Sequence, residues 1–439
     1  MVLKVAVIGA GAAGLASARR LSENPMFSFV VYEQTDSVGG TWVYDERTGV
    51  DEYGIPIHTS MYKNLRTNLP KEVMGFPGFP IIEPTTRSYL PATSILAFLK
   101  RFAEAFGLNN SIKFRHIVRS VKPLKNESGW RLEVENLPEG KTITAEYDAV
   151  MICNGLVVIL LCHDKTIHHD LKHYEVPNMP VIPGMNVFSG IQIHSHDYRM
   201  PDFFKDMTVV VIGAGPSGLD IGLDLTSSAK QVYLSHHSPD KIDTCFPKNF
   251  TFKPDVEKLT SKEVFFMDGT AVQADCVLYC TGYLYRFPFL SEDCGVKVRE
   301  NYVHPLYKHV IAIDSPSLAF IGLPFYVCAF SMFDLQARFF IESLTGRFKL
   351  PSKEDMLRDE NDEFNRRKTN GFGLRDFHKM GPLQMDYYND LSETAKIEAL
   401  PPVLTLLHNE SSRRFLEDLN HFRNDNYIIV DNQNFKEIK

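Results

Sequence analysis

The sequence predicts an α/β protein with two Rossmann-like domains, the smaller inserted into the larger. Three observations predict this. An apolar run precedes a glycine-rich turn twice in the 439-residue chain. Both units close with the same short pattern. The apolar and helical segments that follow the second unit are expected to complete the first domain. We expect a first domain formed by 1–180 and 310–439 and a second formed by 185–305.

The first glycine-rich turn follows the predicted strand at residues 4–8. Gly9-Ala10-Gly11-Ala12-Ala13-Gly14 fits G-x-G-x-x-G. The first glycine permits a tight bend, the second lets the backbone approach a pyrophosphate, and the third lets helix and strand pack closely. The following helix N-terminus presents free N–H groups to the phosphates. A second predicted strand ends in Glu33, where a carboxylate can accept hydrogen bonds from a ribose.

The second glycine-rich turn follows residues 208–212 and is Gly213-Ala214-Gly215-Pro216-Ser217-Gly218. Residues 148–155 and 275–282 both fit D-x-V-x-x-C-[N/T]-G, which is typical of a buried strand that closes a parallel unit. Two such units predict two dinucleotides in one protein, an arrangement that suits electron transfer between them.

The remaining elements follow from periodicity and composition. Helical spacing predicts a helix over 93–106, and short antiparallel strands are expected over 111–136. Three prolines within 177–183 predict a linker. A final buried strand is expected at 318–322, followed by helices over 333–344 and 353–369.

The composition excludes several classes of protein. A net charge of −7 gives no general attraction to nucleic acid. No apolar run reaches the length of a membrane span, and a first strand at Val2 or Leu3 leaves no room for a signal peptide. The seven cysteines form no C-x-x-C motif, which favours a reducing compartment and argues against a metal site. We therefore expect a cytoplasmic protein; peripheral membrane association and a homodimer are left open.

Further motifs resemble those of the flavin-containing monooxygenases, the class B flavoprotein monooxygenases similar to dimethylaniline monooxygenase. Phe188, Gly190, His194 and Tyr198 fit that family's F-x-G-x-x-x-H-x-x-x-[Y/F] sequence. Thr67-Asn68-Leu69-Pro70-Lys71-Glu72 fits its T-N-x-P-K-E segment. Gly39-Gly40-Thr41-Trp42, Thr281-Gly282-Tyr283 and Asp334-Leu335-Gln336-Ala337-Arg338 are similar to three more of its motifs. The chain looks like the insect or microbial members that lack a C-terminal anchor.

The resemblance implies the cofactors, the reaction and the site residues. NADPH reduces FAD, O2 adds to form a C4a-hydroperoxyflavin, and one oxygen atom passes to a soft nitrogen or sulfur nucleophile of a small molecule. Asn68 is the implied catalytic residue. The implied FAD site contains Gly9, Gly11, Ala12, Ala13, Gly14, Glu33, Gly40, Thr41, Trp42, Thr67 and Gln336. The implied NADP site contains Gly213, Gly215, Pro216, Ser217, Gly218, Ser235, His236 and Tyr198.

Two features depart from the family. The second strand of the second unit ends in Ser235 and is followed by His236 and His237, where the family usually has an arginine for the NADP 2′-phosphate. We expect a weaker phosphate site, or one that uses Arg199 or Lys241.

An apolar and then histidine-rich insertion, 156–172, also separates Asn154-Gly155 from His173-Tyr174. This insertion is typical of an alternative splice form or of retained intron sequence, and whether it impairs folding or cofactor loading stays open at this point. A metal site at Cys162, His163, His168 and His169 is disfavoured by its spacing.

Alternatives to an N- or S-monooxygenase stay open at this point. A Baeyer–Villiger enzyme would use the same cofactors on a ketone. An NADPH oxidase would release hydrogen peroxide, and a catalytically silent flavoprotein would do neither.

Overall fold

The computed structural model describes residues 2–125, 128–155, 176–237 and 246–438. The chain begins with β1 (Leu3–Ile8), α1 (Ala12–Ser22), β2 (Phe27–Tyr32), α2 (Ala92–Ala105), β3 (Ile112–Lys113), β4 (His116–Pro123), β5 (Trp130–Asn136), β6 (Lys141–Tyr147) and β7 (Ala149–Ile152). β1 pairs in parallel with β2 and with β7. Both faces of this sheet are covered, which explains why the β1 residues from Val5 to Val7 are fully buried. The predicted helix over 93–106 and the antiparallel strands over 111–136 are confirmed as α2 and as β4 with β5.

The second unit has its own parallel sheet. The elements between residues 176 and 304 are β8 (Val176–Pro177), β9 (Ile191–His194), β10 (Thr208–Ile212), α3 (Pro216–Leu225), β11 (Gln231–Ser235), β12 (Phe250–Lys253), β13 (Val256–Leu259), β14 (Glu263–Phe266), β15 (Ala271–Gln273), β16 (Cys276–Tyr279), β17 (Tyr283–Leu284), β18 (Lys297–Arg299) and β19 (Tyr302–His304). The sheet order is β12-β11-β10-β16-β9, so the strand that enters the second glycine-rich turn lies at the centre.

The chain then returns to the first sheet. The last elements are β20 (Leu306–Tyr307), β21 (Ile311–Ala312), β22 (Leu318–Phe320), α4 (Ala329–Thr345), α5 (Lys353–Thr369), α6 (Gln384–Ala395), α7 (Pro402–Glu417), β23 (Asn426–Ile429) and β24 (Phe435–Ile438). β22 pairs in parallel with β7, which completes the order β20-β21-β22-β7-β1-β2-β3. The second parallel unit is therefore inserted into the first, as the sequence predicts. The strand at 318–322 and the helices over 333–344 and 353–369 are confirmed as β22, α4 and α5.

The domain boundaries stay predictions. β16 is the last strand along the chain that belongs to the sheet of the second unit. After it, hydrophobic residues from Tyr285 to Val303 pack in the same core as Ala6 of β1 and Val150 of β7. The insertion at 156–172, with Cys162, His163, His168 and His169, lies outside the described residues, as do His173, Tyr174 and Lys241.

The repeated closing pattern has the same structural role in both units. Asp148 Oδ2 accepts a hydrogen bond from the backbone N–H of Lys4 at 2.7 Å, and Asp275 Oδ2 accepts one from Thr208 at 2.8 Å. The backbone N–H of each aspartate donates in return to the carbonyl of the same partner. The acidic residue therefore fixes the closing strand beside the first strand of its unit.

Candidate active site

The first glycine-rich turn joins β1 to α1 in the geometry that a dinucleotide phosphate needs. Gly9 has a φ of +103°, and a side chain there would place its Cβ 2.8 Å from the carbonyl oxygen of Cys153. A Cβ on Gly14 would lie 1.8 Å from the Gly9 carbonyl oxygen, so only glycine lets α1 pack on this turn. Ala12 and Ala13 begin the helix in a buried position without a side-chain cap. A buried, uncapped helix N-terminus fits an anionic ligand.

Glu33 and the turn at 39–42 surround the same glycines. Glu33 is buried, and its Oε2 accepts a hydrogen bond from the Ala10 backbone at 2.7 Å. A carboxylate oxygen has lone pairs to spare, so ribose hydroxyls can still donate to it. Gly39 donates to the Ala10 carbonyl at 3.1 Å, and a Cβ added to Gly40 would lie 3.0 Å from the Gly11 Cα. Thr41 is exposed, whereas the half-buried Trp42 ring meets Phe330 edge to face.

The second turn repeats this geometry at the start of α3. Gly213 has a φ of +104°, and a Cβ on Gly218 would lie 1.8 Å from the Gly213 carbonyl oxygen. A Cβ on Gly215 would meet no described atom within 4 Å. Pro216 and Ser217 form the first turn of α3, which has no side-chain cap. The space beside Gly215 and the uncapped N–H groups fit a second pyrophosphate.

The residues predicted to hold the 2′-phosphate lie at the end of β11. Ser235 Oγ donates to the Pro254 carbonyl at 2.8 Å, and the His236 backbone donates to Lys253. The suggestion that Arg199 binds the phosphate is wrong. The buried Arg199 guanidinium donates to five backbone carbonyls, those of Asp45, Arg47, Thr59, His196 and Tyr198. Because arginine has five N–H donors, none is left for a phosphate.

The loop with Thr67 and Asn68 lies against the second unit. Thr67 is buried, and its hydroxyl accepts a hydrogen bond from Leu90 N. Asn68 is exposed, and its side-chain Oδ1 accepts a hydrogen bond from Arg423 Nη2. Arg423 also donates to Asp220 of α3 at 2.7 Å. The predicted catalytic residue Asn68 is thus linked through Arg423 to α3, the helix that follows the second glycine-rich turn.

Two other predicted site residues use their side chains within the protein. The fully buried Tyr198 donates from its hydroxyl to Asp224 Oδ2 at 2.7 Å. Gln336 is fully buried; its Oε1 accepts from Gly322 N at 2.8 Å, and its Nε2 donates to the Tyr387 hydroxyl at 2.7 Å. A contact of either side chain with a cofactor stays a prediction.

Sequence reasoning missed the residues that join the two units. Asp220 and Asp224 lie four residues apart on α3, so they share one helix face. Asp220 accepts hydrogen bonds from Tyr62 and Arg423, and Asp224 accepts them from Asn64 and Tyr198. The i, i+4 acidic pair behind the second fingerprint is a signal that could have been noticed. Arg423, 355 residues from Asn68, gives no such signal.

Buried cysteines lie behind both dinucleotide turns. Burial raises the pKa of the Cys153 thiol and of the Cys280 thiol to about 12. Because the thiolate is the nucleophile and the thiol stays protonated below its pKa, we expect iodoacetamide at pH 8 to leave both unmodified in the folded protein. Peptide mapping before and after denaturation measures this. Rapid modification of either cysteine in the native state would contradict the described burial.

The comparisons decide the family. The model of the flavin-binding monooxygenase-like family matches residues 2–243 and 240–414. This chain belongs to that family. It is 35% identical to senecionine N-oxygenase of Tyria jacobaeae, over 99% of this chain and 91% of that protein. It is 38% identical to flavin-containing monooxygenase FMO GS-OX5 of Arabidopsis thaliana, over 89% of this chain and 84% of that one.

Comparison with a solved structure also supports membership of this family. S-allyl-L-cysteine S-oxygenase from Allium sativum superposes with a TM-score of 0.87 at 32% identity, covering 97% of this chain and 96% of that one. The chain is accordingly a flavin-containing monooxygenase, and its family supports the use of FAD and NADPH. The two glycine-rich turns fit these two dinucleotides. Within the described ranges, no helix is long and apolar enough to span a membrane.

Proposed function

We propose that this flavin monooxygenase transfers one atom of O2 to a soft nitrogen or sulfur nucleophile of a small molecule, with Asn68 at the reacting centre. The observation that carries the proposal is the position of the Asn68 loop, which is tied through Arg423 to the helix of the second dinucleotide turn. The relatives named as an N-oxygenase and an S-oxygenase support the substrate class. A cytoplasmic location stays a prediction from the sequence.

The turns around Gly11 and Gly215 would hold FAD and NADPH, respectively. When bound, FAD supplies hydride acceptance from NADPH and the activation of O2. The uncapped starts of α1 and α3 bind the phosphates, and Glu33 orients a ribose. The Arg199 contacts hold the segment 45–59 against the start of the second unit. A fixed arrangement of the two units restricts water at the reacting centre, which protects an activated oxygen from release as peroxide.

The proposed function is tested with the protein purified in the presence of FAD, whose bound FAD is measured first. NADPH consumption, hydrogen peroxide and oxygenated product are measured together, with N,N-dimethylaniline and thioanisole as probes. About one product per NADPH supports the proposal. Peroxide in place of product indicates the oxidase, a lactone from cyclohexanone indicates the Baeyer–Villiger enzyme, and protein that retains no FAD indicates the silent flavoprotein.

Replacement of Asn68 by alanine is expected to lower coupled turnover by about a hundredfold, since removal of one preorganised hydrogen-bond donor from a reacting centre has an effect of that size. NADPH consumption should continue, because the two dinucleotide turns are untouched, and peroxide should replace product. Product and peroxide are quantified per NADPH in the same assay. Asn64→Ala is the matched control, because it removes a side-chain amide of the same loop, one that donates to Asp224 of α3 rather than accepting from Arg423. A coupled Asn68→Ala enzyme would contradict the assignment.

A further inference from the structure

We propose that Arg423 is a positioning residue that fixes the side-chain amide of Asn68 with its carbonyl toward the guanidinium, so that the NH2 group is the donor offered to the reacting oxygen. The inference rests on the role proposed above for Asn68. Arg423 lies in a short 3-10 turn, Phe422–Asn424, that follows α7. It approaches the Asn68 loop from the far end of the chain.

The Arg423 guanidinium holds three parts of the protein at once. Its Nη2 donates to Asn68 Oδ1, and its Nε donates to the Thr67 carbonyl at 3.1 Å. Its Nη1 donates to Asp220 Oδ1 of α3 at 2.7 Å. The guanidinium carbon lies 4.7 Å from the centre of the Phe422 ring, a cation–π contact within its own turn. The planar fork therefore has little freedom to rotate away from Asn68.

The charge of Arg423 is balanced beside the site. Asp220 accepts from Arg423 with one oxygen and from the buried Tyr62 hydroxyl with the other. The side chains of Arg423 and Asp220 are only 13% and 12% exposed, so solvent screens this pair less than it would a surface pair. Burial together with the Asp220 charge raises the pKa of Tyr62 well above its ordinary value, so the hydroxyl keeps the proton it donates.

The orientation of the Asn68 amide follows from the chemistry of arginine. An asparagine amide offers a carbonyl acceptor at one end and two N–H donors at the other, whereas a guanidinium only donates. The end of Asn68 that faces Arg423 must therefore be its carbonyl. In the described part of the chain, no atom accepts a hydrogen bond from Asn68 Nδ2. The exposed NH2 group is thus available to a ligand.

A fixed donor at this position has a chemical use. Oxygen transfer to a neutral nucleophile develops negative charge on the oxygen that is left behind. A preorganised N–H donor stabilises such charge more than a freely rotating amide, which must first reorient. The positive guanidinium on the carbonyl side also polarises the amide, which makes its N–H groups stronger donors.

The test is a double-mutant cycle on the holoenzyme. Arg423→Lys keeps the charge but loses the planar fork, so we expect coupled kcat to fall about ten- to hundredfold. KM for thioanisole and Kd for NADP+ should stay near the values of the parent enzyme. In an Asn68→Ala background the same substitution should cause no further loss, because the group that it positions is already absent. FAD content and the urea unfolding midpoint are measured for every variant.

Each outcome has a defined meaning. Independent losses that multiply in the double variant, or an Arg423→Lys enzyme with parental coupling, overturn the inference. If Arg423→Lys does not fold, Asn68→Asp decides, because a carboxylate keeps the Arg423 contact but has no donor. Uncoupling by Asn68→Asp without loss of stability supports the donor role, and full coupling overturns it. A coupled Asn68→Ala enzyme instead refutes the role of Asn68 itself, and the inference with it.

Discussion

Replacement of Gly215 by alanine is expected to raise the dissociation constant for NADP+ by about a hundredfold, while the bound FAD and the fold are retained. Gly215 has ordinary extended backbone angles, with a φ of −69°, and an added Cβ meets no described atom within 4 Å. The protein itself therefore tolerates alanine. The methyl group would occupy the space through which a pyrophosphate approaches the N–H groups at the start of α3.

The size of this effect follows from the hydrogen bonds at risk. Each hydrogen bond to a charged group contributes about 1.5–3 kcal/mol, and about 1.4 kcal/mol corresponds to tenfold in affinity. A hundredfold therefore corresponds to about 2.8 kcal/mol, which is one such bond near the upper end of the range or two near the lower end. Isothermal titration of the holoenzyme with NADP+ measures it.

The matched control is Gly373→Ala. Gly373 also precedes a short helical turn with extended angles, a φ of −79°, and its added Cβ likewise meets nothing within 4 Å. It lies outside both glycine-rich turns, so the control should bind NADP+ as the parent does. Unchanged affinity in Gly215→Ala would mean that the second turn does not hold the pyrophosphate.

The parallel units could be predicted because their signals are local. β1 and β10 each enter a turn whose glycines are required by atoms only a few residues away or on the next strand, as the close approach of Gly14 to Gly9 shows. The acidic residue before each closing strand is also readable, because Asp148 and Asp275 hold the same backbone positions in their units. Sequence spacing determines such contacts.

The connection between the units could not be predicted in the same way. The sequence suggested that Arg199 could bind the NADP 2′-phosphate. In the structure all five of its N–H groups donate to backbone carbonyls, and no side-chain pattern in the sequence indicates such contacts. Arg423 follows α7 and meets Asn68 across 355 residues of sequence. Gln336 resembled a cofactor ligand, but its amide also connects Gly322, just after β22, to Tyr387 of α6. Contacts of this kind depend on tertiary packing, which a motif does not encode.

Replacement of Asp334 by alanine is expected to lower the free energy of unfolding by about 3–5 kcal/mol, the cost of removing one partner from a buried ion pair. Asp334 lies on α4 and is fully buried. Its two oxygens accept a bidentate pair of bonds from Arg20 of α1, at 2.6 and 2.9 Å, and Oδ2 also accepts from Arg338 at 2.9 Å. Alanine would remove the carboxylate that pairs with the largely buried Arg338 and would leave Arg20 with Glu23 as its remaining acidic partner.

Urea unfolding of the holoenzyme measures this loss, with Glu342→Ala as the control on the same helix. Glu342 pairs with the mostly exposed Arg347, and such a pair contributes about 0–1 kcal/mol. An Asp334→Ala enzyme as stable as this control would mean that water compensates the arginines. The expected loss explains the D-L-Q-A-R segment in physical terms. Asp334 fixes α4 against α1, the helix that follows the first glycine-rich turn, so its loss should weaken the packing behind that turn.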